Sequence, residues 1–388
     1  MATRTWVLTD VEQDIYVEQI SLSSDQLGGL AAGYAVVKRT LRGGLRQGVD
    51  VIEVHNGLLR LVIVPTRGMG VWRASAGSLQ LKWDSPVRGP VHPAFVNLWE
   101  PSGIGWLDGF DELVVRCGLE SNGAPVFNPN GTLLYPLHGK IANIPAHHVS
   151  VTIDDHSGEI SVRGIVDEAR LFGNKMRMET VISTKVGQPW FAISDTVSNL
   201  SAEPGDLELL YHINFGAPLL EPGARVLLPA AKVAPRDATA AADLGQWDCY
   251  GPETPGAPEA VFFLDLRADA QGNTQATLCN AAATQGVSIR FSKQQLPYFT
   301  LWKNRQSIKD GYVTGLEPGV NFPNSKWFEK QQGRVVSLAP GQSRRFELAI
   351  EVHGDAAAVS AAQQQVAALQ AGATPMVLDR PDPDWSVT

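Results

Sequence analysis

Two apolar runs, Val49 to His55 and Leu58 to Val64, stand on either side of Asn56-Gly57. That arrangement predicts an antiparallel hairpin closed by a type I′ turn, whose two central residues both take positive φ. The pattern recurs along the chain. Val71 to Trp83 reads as a strand pair broken at Ala76-Gly77, and His148 to Ile153 and Glu159 to Val166 flank the turn formers Asp154 to Gly158. Met176 to Thr184, Trp190 to Leu200, Leu207 to Phe215, Val287 to Phe291 and Arg345 to Val352 keep the same period of two. With no long helical segments between them, these strands exclude a βαβ fold and predict an all-β sandwich of antiparallel sheets. One helix is predicted, Ala356 to Gln370, capped by Asp355, with Val359, Ala362, Val366 and Leu369 forming one stripe.

A chain of 388 residues suggests two or three domains, but all-β architectures often run this long as one. No repeat or linker interrupts the sequence, so a single domain over residues 1–375 is expected, followed by a polar tail at 376–388. Pro86 to Pro145 differs in kind. It is rich in Gly, Pro, Asn and Trp and lacks alternation, which predicts ordered loops wrapped over one face, a common place for function.

Charge and motifs exclude several function classes. With 40 acidic against 32 basic residues, the net charge is −8, unsuited to a nucleic-acid backbone. No run approaches the ~20 apolar residues of a membrane helix, and the N-terminus lacks a signal-peptide core. A cytoplasmic protein with no membrane partner is expected, with homo-oligomerisation open. Cys117, Cys249 and Cys279 are widely spaced and fit neither a disulfide framework nor a zinc site. Phosphate-loop, dinucleotide, nucleophile-elbow and HExxH motifs are missing, so neither a metal nor an organic cofactor is expected.

What remains is a set of His, carboxylate and Arg residues in turn-rich contexts. On the strand Leu207 to Phe215, His212 and Asn214 share one face and Tyr211 and Ile213 the other. A His and an Asn on one face suit a polyhydroxylated ligand; a core His bonded to backbone is the alternative. His138 precedes Gly139 and Lys140 in a loop. Glu317, in Val313 to Ser325, is held among Gly315, Pro318, Gly319 and Pro323, the fixed geometry a general base needs. Arg67 offers five donors in a rigid fork, suited to hydroxyls or to an ion pair. Arg116, Lys140, Asn321 and Trp302 complete the candidate ligand-contacting residues, Trp302 as a flat apolar face.

The strings PTRGMG, GWLDGFDELVVRCGLESNGAP, LHGKIAN, YHINFGAP, LPYFTLWKN and TGLEPGVNFPNS span residues 65–325. In content and order they resemble an uncharacterised branch of the galactose-mutarotase-like proteins, the aldose 1-epimerase superfamily. The resemblance implies a β-supersandwich with a sugar cleft, His138 as a substrate binder, His212 as general acid and Glu317 as general base. It implies interconversion of sugar anomers, with a small-molecule sugar as partner. An isomerase or lyase working in the same cleft, metal-assisted or not, and a noncatalytic sugar-binding protein are the alternatives. The Arg that usually follows the family's His-Gly is replaced by Lys140 and Asn143, which makes Arg67 the candidate for its work.

Overall fold

Period-two sequence becomes one-sided burial. Every second residue is buried along Glu159–Ala169, Lys175–Lys185 and Trp190–Asn199. The three strands pair antiparallel in register, Ile160 opposite Thr184 and Ile182 opposite Ile193, giving one apolar and one solvated face. The computed structural model describes residues 3–28 and 31–387. Among those residues the strands form a ten-stranded and a fourteen-stranded sheet, with a small separate pair at Val126–Phe127 and Leu133–Tyr135. Residues from both large sheets, such as Phe191 and Ile193 of one and Tyr211, Ile213 and Phe215 of the other, merge into one apolar core. This is the β-supersandwich expected from the sequence.

The middle of the larger sheet holds the functional interest. Its neighbouring strands run in the order Ala260–Leu266, Tyr298–Asn304, Val313–Gly319, Gly205–Gly216, Val114–Leu119 and Gly70–Ala76. Val114–Leu119 and Val313–Gly319 are buried throughout and Gly205–Gly216 nearly so, because a second layer covers the face turned away from the core. That layer comes from the wrapping segment, through Trp106 and Phe110, and packs on Val115 and Leu210. The wrap is therefore not loop alone. It contains the central strand Val114–Leu119, paired with Gly205–Gly216 so that Arg116 faces Tyr211 and Val115 faces His212. A strand covered on both faces shows no alternation, so period-two reading passed over it.

A charged brace joins the sheets through the core. Arg116 Nε and Nη2 donate to the two carboxylate oxygens of Asp195, at 2.6 and 3.0 Å, with both side chains fully buried. Tyr211 Oη and Thr180 Oγ1 donate to the same carboxylate at 2.8 and 2.6 Å. Four donors on one buried carboxylate offset the cost of bringing it out of water.

The Asn56-Gly57 hairpin forms between Asp50–His55 and Leu59–Val64, but its turn is not type I′. Of the two residues only Gly57 has positive φ, at 94°. Asn56 is engaged by its side chain instead. Its Oδ1 accepts the Leu58 and Leu59 N–H groups, and its Nδ2 donates to Thr184 Oγ1 and to the Lys185 and Gln188 carbonyls of the other sheet. The helix Ala356–Gln370 forms as expected, with Asp355 accepting the Ala358 N–H and Val359, Ala362 and Val366 buried. Beyond it, Met376–Val377 pairs with Ala230–Pro235, and Trp385 packs on Phe322. Among the described residues no helix is long and apolar enough to cross a membrane.

Candidate active site

Sheet register assembles the site. Asn214 lies opposite Gly315, and Gly315 opposite Trp302, so His212, Asn214, Gly315, Glu317 and Trp302 present one continuous face across three strands. Trp106, Phe110 and the His138 loop close over it. The ring centroid of His212 stands 5.1 Å from Phe110, 5.3 Å from Trp302 and 5.5 Å from His138, while Trp106 is 4.6 Å from His138. The result is a small aromatic cluster that holds two imidazoles and one carboxyl.

The tautomers follow from the hydrogen bonds. Asn214 Nδ2 donates to the Glu112 and His212 carbonyls, which turns Oδ1 toward His212 Nδ1 at 2.6 Å. Asn214 Oδ1 can only accept, so the Nδ1 proton of His212 is fixed and its Nε2 faces Glu317 Oε1 at 3.2 Å. His138 Nδ1 likewise donates to the Asn122 carbonyl at 2.9 Å, leaving Nε2 as a bare acceptor.

Both members of the pair are nearly dehydrated. Burial, then the repulsion of Glu259, pushes the Glu317 carboxyl well above the ordinary carboxylate range, with Arg236 opposing. Burial, then His138, pushes His212 well below the ordinary imidazole range, and burial takes His138 down to about 4. Both shifts run against an ion pair of protonated His212 and ionised Glu317 in the unliganded site. The neutral carboxylic acid and neutral imidazole are favoured. Glu317 Oε1 is buried without a hydrogen-bond partner of acceptable geometry. An orphaned carboxyl oxygen is unfavourable for folding and suits an atom kept for a ligand.

Gly315 makes the close approach feasible. A Cβ at that position would meet Glu317 Oε1 at 2.3 Å and His212 Cε1 at 3.1 Å. Only glycine leaves the carboxyl its place.

The match with known proteins is specific. Residues 46–352 match the family described as a domain of unknown function, DUF4432. The chain belongs to that family, an uncharacterised branch of the galactose-mutarotase-like proteins. A Klebsiella pneumoniae crystal structure, of a protein provisionally named an aldose 1-epimerase, is 37% identical with a TM-score of 0.95, and the alignment covers 98% of this chain and 99% of that one. A galactose mutarotase-like protein from Clostridium acetobutylicum shares the fold at 17% identity and a TM-score of 0.55, over 82% of this chain and 98% of that one. Galactose 1-epimerase from Lactobacillus acidophilus does so at 11% identity and a TM-score of 0.54, over 82% and 98%. No curated protein matches the sequence.

In this DUF4432 protein, His212, Glu317, Asn214, His138 and Trp302 lie together. Four other candidates do not join them. Arg67 is fully buried and gives its donors to Glu112, Asn143 and the Gly109 carbonyl, so it braces the wrapping layer. Arg116 points into the core toward Asp195, because it shares a face with Tyr211 and not with His212. Lys140 pairs with Glu120 at 2.6 Å, and Asn321 is buried against Glu208 and Asn122.

The sequence reading missed Phe110 and the pair Glu259–Arg236, and took Gly315 only as a turn former. Glu259 Oε2 accepts the Trp302 Nε1–H at 2.7 Å while Oε1 accepts from Arg236 at 2.8 Å, so the carboxylate fixes one side of the cluster. Phe110 and Gly315 sat inside distinctive strings, but Glu259 and Arg236 carry no local signal. Among the described residues no group of three or more His, Cys, Asp or Glu side chains is disposed to hold a metal ion. A groove of about 1120 Å³ crosses the solvated face of the ten-stranded sheet, lined by Ser183, Ser194, Gln275 and Arg290. It lies on the opposite side of the sandwich from His212, and two of its charged groups, Arg345 and Glu347, pair with each other at 2.8 Å.

Proposed function

We propose that this protein interconverts the anomers of a sugar by acid–base ring opening, as an aldose 1-epimerase does. The observation that carries the reading is the approach of His212 Nε2 to Glu317 Oε1 inside an aromatic cluster, with the outer nitrogen of His212 locked by Asn214. Such a pair holds one mobile proton. In its ionised form Glu317 takes the proton of the anomeric hydroxyl while His212 gives one to the ring oxygen. The C1–O5 bond breaks and the aldehyde forms. The pair is then a carboxylic acid and a neutral imidazole, the form that burial favours. Rotation about C1–C2 and return of both protons closes the ring as the other anomer.

The neutral pair is thus complementary to the open-chain sugar and the ionised pair to the ring. Turnover requires both, and polar sugar hydroxyls beside the pair reduce the cost of the ionised one. His138 Nε2, a bare acceptor, accepts a hydrogen bond from a sugar hydroxyl, and the Trp302 face receives its C–H surface. Each positioned acid or base contributes on the order of 10²–10⁴ in rate, ample for a reaction that already runs in water.

A panel of free aldoses read by saturation-transfer NMR tests this. Accelerated anomer exchange that disappears in Glu317→Gln is expected. Saturable binding with no acceleration would leave only a sugar-binding protein, and deuterium entering at C2 would reveal enolisation by an isomerase.

A further inference from the structure

Behind His138 lies a buried polar chain that the acid–base pair does not use. Glu208 stands on the His212 strand, two alternate positions back on the same face, and is fully buried. Its Oε2 accepts the Asn122 backbone N–H at 3.1 Å, and its Oε1 accepts Asn321 Nδ2 at 2.8 Å. Asn321 Oδ1 in turn accepts Asn122 Nδ2 at 2.8 Å. Asn122 is therefore clamped by main chain and side chain alike, and its carbonyl is the group that fixes the His138 ring. The next residue, Gly123, accepts the His138 backbone N–H at 2.9 Å. His138 itself sits at φ 57°, a conformation a non-glycine residue keeps only when its surroundings insist.

We propose that Glu208 is a positioning residue for His138, acting through Asn122. It sets which nitrogen of His138 carries the proton and where the other one points. The inference rests on the reading of His138 as the sugar's hydrogen-bond acceptor. Asn321 then matters to the sugar indirectly, as the second arm of the clamp. Glutamine at 208 cannot substitute cleanly. One of its two terminal atoms is a donor, so the Asn321 amide must turn over to accept from it, and the donor that Asn321 then presents disrupts its bond from Asn122 Nδ2.

The test uses the full-length chain with Glu208→Gln and Glu208→Ala. Histidine ¹⁵N NMR should show His138 as the Nδ1–H tautomer in the parent and as a mixture in both variants; Glu208→Gln serves alone if Glu208→Ala does not fold. In anomer exchange, KM should rise roughly tenfold in Glu208→Gln, the scale of one unpaired buried donor, with kcat within about twofold. Placed on a His138→Ala background, the Glu208 substitution should add less than about twofold, since coupled residues are not additive. An unchanged tautomer overturns the proposal, as do additive losses or a fall in Tm with KM untouched. The tautomer is read without turnover, so a protein that fails to exchange anomers would refute the catalytic reading and still decide this one.

Discussion

His212 Nε2 and Glu317 Oε1 stand 3.2 Å apart with both side chains almost wholly out of water. Such proximity normally signals an ion pair. Here burial pushes the acid up and the base down, and both shifts favour the neutral pair. A neutral pair has a measurable consequence for stability. Where the folded carboxyl titrates above its unfolded value near ~4.3, the native state holds the extra proton, and stability falls as pH rises through that window. Glu317→Gln removes this effect. Its Tm should match the parent near pH 4.5 and exceed it by roughly 2 °C or more at pH 8.5. A difference that is constant with pH, or of opposite sign, would mean that Glu317 is ionised in the native state.

Trp302 tests the aromatic cluster. Trp302→Ala deletes the face that His212 meets edge-on and frees Glu259 from the indole N–H. Loss of one aromatic contact predicts a KM increase of roughly two- to tenfold with a smaller change in kcat. Trp302→Phe, which keeps a ring but not the N–H, should fall between the two. Equal KM in all three proteins would show that the sugar does not touch this side chain.

The Arg116–Asp195 brace makes a prediction about folding alone. Asp195→Asn leaves a fully buried guanidinium without its counter-charge, and breaking such a pair costs about 3–5 kcal/mol. Urea denaturation should show a midpoint lowered accordingly, while activity per folded molecule stays near that of the parent because the pair faces the core. An unchanged midpoint would mean that water or another anion reaches Arg116.

The same pair shows what the sequence made legible. Strands with one wet face announced themselves by alternation, so six strands of the ten-stranded sheet were readable, while Thr3–Asp10, Ile15–Tyr16, Arg225–Leu227 and Asn273–Cys279 were not. Val114–Leu119 was not, because both of its faces are covered, and with it went the direction of Arg116. His212 and Asn214 could be assigned a common face from strand period alone, and the structure joins them at 2.6 Å. The direction of an Arg depends on partners far away in sequence. Arg67 meets Glu112 across 45 positions and Arg116 meets Asp195 across 79, and no local pattern encodes either contact. Glu259 was unreadable for the same reason, since its partner Trp302 lies 43 residues on.

Gly315 carries the most local of the predictions. It stands between Asn214 and Trp302 in the sheet, where a β-branched or aromatic residue would ordinarily favour the strand. Strand propensity is sacrificed there for space, because an added methyl would sit 2.3 Å from Glu317 Oε1. Gly315→Ala removes backbone freedom from the unfolded chain and keeps an ordinary strand conformation, so the fold should survive with little change in Tm. The carboxyl must move aside, however, and away from His212. A displacement near 1 Å costs on the order of 10² in rate for a group whose work depends on placement. Anomer exchange should therefore fall about a hundredfold in a protein whose circular dichroism and melting are normal. Exchange at the parental rate would show that Glu317 tolerates displacement, and would remove the carboxyl from the list of groups that act on the sugar.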